Sequence, residues 1–361
     1  MTNDRAAGAL LGLAVGDALG TTYEFEAITQ PDYPQLATGP ATDVVGGGPF
    51  ELVAGQVTDD TQLAVCIAAS LVARGGFDIE DIGRRFVAWS AHAFDIGNQT
   101  RATIQLLASG VAASSAGLTI WREWDRKPAG NGSLMRTAPL AVAFAGGDTS
   151  IVPVALIDAA IAESLITHAD PRCALACAAF DCAIAAAIGT PLDGTALVEV
   201  ARAALHVGAQ RLAALWATPG ADDGATSSAD PAVVDREHLA SALADLDSDL
   251  DAALAREPGV YRAGMHVHRT AGFVRVAFRL AFWHAVHTPS WRDAVVDVAS
   301  RGGDADTNTA IVGALLGARD GATAIPAAWC ERVLGVDQPG PAAWAAAHHP
   351  RHLLALVRDR E

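Results

Sequence analysis

Four carboxylates in two short clusters carry the strongest chemical signal in this chain. Asp304 and Asp306 stand two residues apart in Arg301-Gly302-Gly303-Asp304-Ala305-Asp306-Thr307-Asn308-Thr309, after a Gly-Gly pair and before the apolar run 310–316. Asp59 and Asp60 lie far upstream in Thr58-Asp59-Asp60-Thr61, followed by the apolar run 63–71. Each cluster therefore sits where a loop enters a helix. Carboxylates flanked by threonine hydroxyls are the hard oxygen donors that Mg²⁺ or Mn²⁺ prefers. Carboxylates held this close repel one another unless a cation lies between them. The plainer reading is helix capping, since Asp and Thr are ordinary caps and the first helical turn welcomes carboxylates. A cap needs one side chain, however, and both clusters supply more than that. A divalent-cation site, with two metals, is the leading expectation.

Other segments could supply the rest of a site. Gly16-Asp17-Ala18-Leu19-Gly20-Thr21-Thr22-Tyr23-Glu24-Phe25-Glu26 ends an apolar helix; its acid residues could reach a pocket mouth, or its glutamates could simply be solvated. Asp95-Ile96-Gly97-Asn98-Gln99-Thr100-Arg101 reads as a turn into a helix. In Gly130-Asn131-Gly132-Ser133-Leu134-Met135-Arg136 two glycines permit close backbone approach, and amides at a helix start near Ser133 would suit a phosphate. The segment lacks the Gly-x-x-x-x-Gly-Lys-Ser/Thr pattern of a P-loop. His168 stands between two helical patterns, where a structural role competes with a contact to a sugar or base. His266, His268 and the histidines of the C-terminal tail show no metal-ligand spacing. Cys173 and Cys177 are one turn apart in an Ala-rich pattern, but no Cys-x-x-Cys or nearby histidine spacing supports zinc. Small buried apolar residues are the better reading.

The elements that must position these groups are helical. Gly8, Gly12, Gly16 and Gly20 recur every fourth residue, as do Gly313, Gly317 and Gly321. Each series bares one helix face to a close neighbour. If these two helices pack together, both acidic clusters come to one end of the fold. Residues 21–57 are rich in Pro and Gly and read as loop. Helical patterns then follow at roughly 61–74, 78–93, 100–113, 134–145, 151–166, 171–188, 193–214, 236–255, 270–287, 290–300, 307–318 and 325–334. No sustained alternation argues for a sheet. The expectation is an all-α fold. It is a compact orthogonal multi-helix bundle over residues 1–361, one domain with the binuclear metal site at one end and a mobile surface loop at about 217–235.

The bulk numbers agree. Hydrophobic residues make up 51% of the 361 residues and aromatics only 6%, so the apolar content is mainly Ala, Leu and Val. The net charge of −16 disfavours a free nucleic acid as partner. Asp17 and Asp181 interrupt the longest apolar stretches, and Met1-Thr2-Asn3-Asp4-Arg5 lacks the basic start of a signal peptide. A monomeric cytoplasmic protein with no membrane partner is expected.

Taken in order, these motifs resemble the ADP-ribosylglycohydrolase family, which includes dinitrogenase reductase-activating glycohydrolases and ADP-ribosylarginine hydrolases. The resemblance covers nearly the whole chain. It rests on Gly-Asp-Ala-Leu-Gly (16–20) with Glu24, Thr-Asp-Asp-Thr (58–61), Asp-Ile-Gly-Asn (95–98), Gly-Asn-Gly-Ser-Leu-Met-Arg (130–136), Thr-His (167–168) and Gly-Gly-Asp-Ala-Asp-Thr-Asn (302–308). It implies an all-helical fold that holds two divalent cations, Mg²⁺ or Mn²⁺, beside the distal ribose of ADP-ribose. Carried over, Thr58, Asp59, Asp60, Asp304, Asp306 and Thr307 are the metal ligands. Asp304, Asp60 and Glu24 are the catalytic residues, with Glu26 a competitor for the flap position of Glu24. Asp95, Gly97, Asn131, Gly132, Ser133, Met135 and His168 are the substrate-binding residues. The implied reaction is metal-dependent hydrolysis of the ribose C1″ bond of an ADP-ribosylated protein or small molecule, releasing ADP-ribose. The acceptor expected is arginine; serine, O-acetyl-ADP-ribose, a base, or ADP-ribose binding without catalysis are the alternatives. Phe273 departs from the family pattern, which has Tyr there. Tyr261 to His268 and the 217–235 segment match nothing in it.

Overall fold

A computed structural model describes residues 2–146, 152–217 and 231–358. The architecture is all-helical. Its principal helices are α1 (Thr2–Gly20), α2 (Asp59–Arg74), α3 (Ile79–Ser90), α4 (Asn98–Ala108), α5 (Ala113–Glu123), α6 (Ala138–Phe144), α7 (Val154–Thr167), α8 (Pro171–Gly189), α9 (Gly194–Trp216), α10 (Pro231–Leu254), α11 (Val274–His287), α12 (Trp291–Arg301), α13 (Ala305–Asp320), α14 (Ala327–Gly335), α15 (Ala342–Ala347) and α16 (Ala355–Arg358). Among the described residues, extended structure is confined to short bridges and two hairpins of two-residue strands, Gly46–Gly47 with Leu52–Val53 and Tyr261–Arg262 with Met265–His266.

Four helix starts follow from local capping residues. The side chains of Asp78, Asp170, Asp193 and Ser290 accept hydrogen bonds from backbone N–H groups in the first turns of α3, α8, α9 and α12. Gly75 takes a positive φ of 66° to end α2. Helix α5 lies where the sequence suggested none. Its Ala-Ser-Ser-Ala-Gly start carries loop-like residues, yet Ile120 and Trp121 are buried and hold it to the core. The expected surface loop at 217–235 falls largely on residues 218–230, outside the described residues. From Pro231 the chain is already helical.

The glycine spacing in α1 and α13 has the packing consequence expected of it. The two helices run antiparallel with their backbones almost touching. A Cβ on Gly8 would lie 2.1 Å from the carbonyl oxygen of Gly317, one on Gly12 2.1 Å from that of Gly313, and one on Gly20 2.3 Å from that of Ala305. The C-terminal end of α1 thus abuts the N-terminal end of α13, where the 304–307 cluster sits. Gly12→Ala is expected to destabilise the protein by about 3 kcal/mol or to prevent folding, because backbone faces the new methyl group and cannot yield. Gly76→Ala, which meets nothing within 4 Å, is the control and should change chemical-denaturation stability by no more than about 0.5 kcal/mol.

Buried apolar side chains from Ala6 to Leu356 form one contiguous core. Helix α8 is long and apolar enough to cross a membrane, but 83% of its apolar window is buried inside this core. Cys173, Cys177 and Cys182 lie within it as free buried thiols, and burial pushes the Cys66 thiol up to about 12. They behave as core residues.

Candidate active site and metal centre

Neither residue at the two N-cap positions caps its helix; within the two clusters only Asp306 takes a first-turn N–H, that of Thr307 at 2.8 Å. Thr58 and Asp304 occupy the positions before α2 and α13, and neither side chain makes a capping hydrogen bond. Thr58 directs its hydroxyl to Asp17 instead, at 2.9 Å. Asp17 is the organising residue of this end of the fold. Fully buried in α1, it accepts from the backbone N–H of Thr58 at 3.0 Å and of Thr61 at 3.1 Å, and from the Thr61 hydroxyl at 2.5 Å. One carboxylate therefore pins the start of α2 against α1. Nothing local in the sequence shows that the start of α2 lies opposite Asp17.

With α2 held to α1, and α1 to α13, the two clusters meet. The Thr58 hydroxyl lies 3.2 Å from Asp60 Oδ2 and 3.5 Å from Asp306 Oδ2, and the Thr307 hydroxyl 3.4 Å from Asp60 Oδ2. Asp304 Oδ2 accepts from the Asn131 side-chain amide at 2.7 Å. Gly302 and Gly303, at φ 72° and 77°, form the turn that delivers Asp304. That turn is zipped to the 24–27 segment. Phe25 N–H donates to the Gly303 carbonyl at 2.7 Å, Gly303 N–H donates to the Glu26 carbonyl at 2.8 Å, and Ala27 bridges Gly302. The zip turns Glu24 inward and leaves Glu26 exposed. Phe25 itself takes φ 63°, a conformation a bulky L-residue rarely adopts, and projects at the cleft mouth with 68% of its surface exposed. Its residue type gave no hint of this position.

Glu24, Asp95 and Asp306 offer carboxylate oxygens that all lie within 4.8 Å of one another, a set able to hold a divalent cation. Two of these three were expected as catalytic or substrate-binding residues rather than as ligands. The physical chemistry of the set fits a cation. Glu24 Oε2 and Asp60 Oδ1 are buried without any hydrogen-bond partner. Glu24 faces Asp306, and Asp95 faces Asp59, so each pair must share a proton or a cation. Burial, then the carboxylates of Asp95 and Asp304, push Glu24 up to about 9. Asp17 and Asp95 are each raised to about 6, with burial the leading cause. Asp59, Asp60 and Asp306 lie well above the ordinary carboxylate range through burial and then mutual repulsion, and burial also raises Asp304.

The carboxylates floor one side of a cleft of about 290 Å³. Glu24, Asp59, Asp95, Gly97, Asn131, Gly132, Met135, His168, Asp304, Asp306 and Thr307 line it, while Thr58 and Asp60 lie just beneath. Gly97 precedes α4, whose N-terminus opens onto the cleft through Asn98, Gln99 and Thr100. Ser133 does not reach the cleft. It begins a short 3₁₀ turn, Leu134–Arg136, and its hydroxyl is buried against Ser164 Oγ at 3.0 Å. The 130–136 segment is also less open than its glycines suggested. The Asn131 N–H is donated to the Gly272 carbonyl at 2.9 Å, so that amide is not free for an anion. A Cβ on Gly132 would meet the His168 ring at 2.7 Å, so these glycines admit the histidine.

The comparisons agree with this geometry. A family model described as ADP-ribosylglycohydrolase matches residues 1–358. An ADP-ribosylarginine hydrolase of Pseudomonas putida is 30% identical over 346 residues, spanning 91% of this chain and 74% of that protein. The ADP-ribosyl-(dinitrogen reductase) glycohydrolase of Rhodospirillum rubrum is 28% identical over 333 residues, spanning 92% and 90%. A solved structure described as an ADP-ribosylglycohydrolase-related protein complex superposes with a TM-score of 0.65 at 26% identity, covering 99% of this chain and 98% of the other.

Proposed function

The chain belongs to the ADP-ribosylglycohydrolase family, and from that premise we propose that it hydrolyses the ribose C1″–N bond of ADP-ribosylarginine on protein, using two divalent cations. Membership makes it a glycohydrolase acting on ADP-ribosylated substrates. The arginine acceptor and the pair of cations are the finer reading.

The charge of the site carries that reading. Asp17, Glu24, Asp59, Asp60, Asp95, Asp304 and Asp306 crowd one end of the fold, and their repulsion is written in their raised pKa values. One divalent cation would leave most of these seven carboxylates unbalanced. Two would leave a modest negative surplus facing the cleft, which favours a guanidinium over a neutral leaving group. An ADP-ribosylarginine hydrolase is among the relatives.

Thr58, Asp59, Asp60, Glu24, Asp95, Asp306 and Thr307 would hold the cations. When bound, the cations supply the positive charge that neutralises these carboxylates and polarises water and the ribose hydroxyls. The remaining steps belong to side chains. Asp304 accepts the proton of the attacking water as its oxygen bonds to C1″ and the C1″–N bond breaks. The Asn131 amide favours the ionised form of Asp304 and so opposes the effect of burial. The ribose passes through oxocarbenium character, as in glycoside hydrolysis generally. The guanidine leaves with the bonding pair of the C1″–N bond, takes the proton that Asp304 accepted from the water and so departs as guanidinium, which the unbalanced carboxylates stabilise. Asn131, Gly132, Met135 and His168 form the opposite wall, against which the rest of ADP-ribose would lie.

The test is a panel of arginine-, serine- and acetyl-linked ADP-ribose substrates, assayed for free ADP-ribose with and without chelator. Cation-dependent release should be at least about tenfold faster from the arginine-linked substrate. Equal or faster release from the serine-linked substrate would overturn the acceptor assignment, and full activity after chelation would overturn the cation mechanism.

A further inference from the structure

His168 lines the cleft, yet its hydrogen-bonding state is set from behind by residues that never reach it. The fully buried guanidinium of Arg136 donates through Nε to Glu163 Oε1 at 2.7 Å and through Nη2 to the Thr167 hydroxyl at 2.8 Å. The Phe86 ring lies 4.6 Å from it. The Thr167 hydroxyl in turn lies 2.7 Å from His168 Nδ1. Arginine has five N–H donors and no acceptor, and it stays charged at any pH a protein survives. The hydroxyl oxygen must therefore accept from Arg136. A hydroxyl has a single proton to give. Its other partner among the described residues is His168 Nδ1, and donating there satisfies both groups, whereas accepting from a protonated Nδ1 would leave the hydroxyl proton without a partner among the described residues.

We propose that Arg136, acting through Thr167, fixes His168 in the tautomer with Nδ1 bare and the ring proton on Nε2, presenting a permanent N–H donor to a ligand oxygen in the cleft. Nε2 is the ring nitrogen turned toward the glycine loop: a Cβ on Gly132 would lie 2.9 Å from it and one on Gly130 3.2 Å. This gives the two glycines a reason to be there, since any side chain would bury the donor. Burial, and then the charge of Arg136, hold the His168 pKa well below its usual value, so the ring stays neutral and keeps one proton. A neutral ring with a fixed proton cannot turn acceptor, and a phosphate or ribose oxygen always meets a donor there. Arg136 and Thr167 are positioning residues. Glu163 balances the buried charge that makes the relay one-directional.

The tautomer is a property of the free protein; only the identity of the ligand rests on the functional reading above. The experiment is nitrogen-15 NMR of histidine-labelled protein, with the His168 signals assigned by their loss in His168→Gln. Wild type and Thr167→Ser should show the proton on Nε2. The near-isosteric Thr167→Val, checked for unchanged helical content, should show a mixture of tautomers. A proton on Nδ1 in the wild type, or a Val variant with an unchanged tautomer, overturns the proposal. Titration with ADP-ribose forms a separate arm. The Nε2–H signal should shift on binding, and Thr167→Val should bind roughly tenfold more weakly. An unmoved signal with intact tautomer control would count against ADP-ribose as the ligand while leaving the relay in place.

Discussion

Asp60→Asn is expected to lower turnover at least about a thousandfold and, at the same time, to raise the melting temperature of the cation-free protein. The two effects have one cause. Asp60 is fully buried, its Oδ1 has no partner, and Asp17, Asp304, Asp95 and Glu24 all repel its charge. A carboxylate placed so is a cost to folding that only a cation offsets. The amide keeps the shape and removes the charge. It also gives the cluster an N–H₂ donor, which the surrounding carboxylates can accept from. The cation-free fold should therefore gain stability, while the rise in melting temperature on adding Mg²⁺ should shrink or vanish. Thermal denaturation with chelator and with Mg²⁺, beside ADP-ribose release, reads both sides. A variant that loses activity through lower stability in chelator would instead mark Asp60 as a structural residue. That outcome would remove the charge argument for the whole cluster.

The two-sided expectation separates what the sequence could reveal from what it could not. The acidic clusters were legible because they exceed the needs of capping, and the structure bears this out: Thr58 and Asp304 hold cap positions without capping. The α1–α13 pairing was legible because a four-residue glycine period has few other physical uses. Asp17 was not legible in its role. A carboxylate in an apolar helix looks like a packing defect until the N–H groups of Thr58 and Thr61 are seen opposite it. The grouping of Glu24 and Asp95 with Asp306 was equally hidden, because it depends on the bridge between Ala27 and Gly302 and on the turn before α4. Such contacts join residues more than two hundred positions apart. Ser133 shows the opposite limit. Its motif suggested a ligand contact, but the 3₁₀ turn after it rotates the hydroxyl into the core toward Ser164.

The stability of the protein should depend on pH with opposite signs in chelator and in saturating Mg²⁺. In chelator, Glu24 keeps its proton up to about 9 and Asp17 and Asp95 keep theirs to about 6, all above the values of an unfolded chain. Through these carboxylates the folded state binds more protons than the unfolded state, so raising the pH favours unfolding; His168, His284 and His348, held by burial below their usual value, work in the opposite direction until the unfolded histidines have lost their protons at about 6.5. The stabilisation is full below about pH 4. It is lost through about 6 for the two aspartates, and Glu24 continues the loss toward about 9. Asp297 does not confuse the reading. Burial works to raise it, but His284 and Arg301 hold it at about 2, so its contribution varies only at lower pH. Bound cations reverse the slope. They require the ionised carboxylates, so binding expels the same protons and tightens as pH rises. Melting temperatures taken from about pH 7 to about pH 8.5, above the titration of the unfolded histidines, should fall in chelator and rise in Mg²⁺. Parallel slopes in the two conditions would mean that these carboxylates keep their protons with the cation present, and they could not then be its ligands.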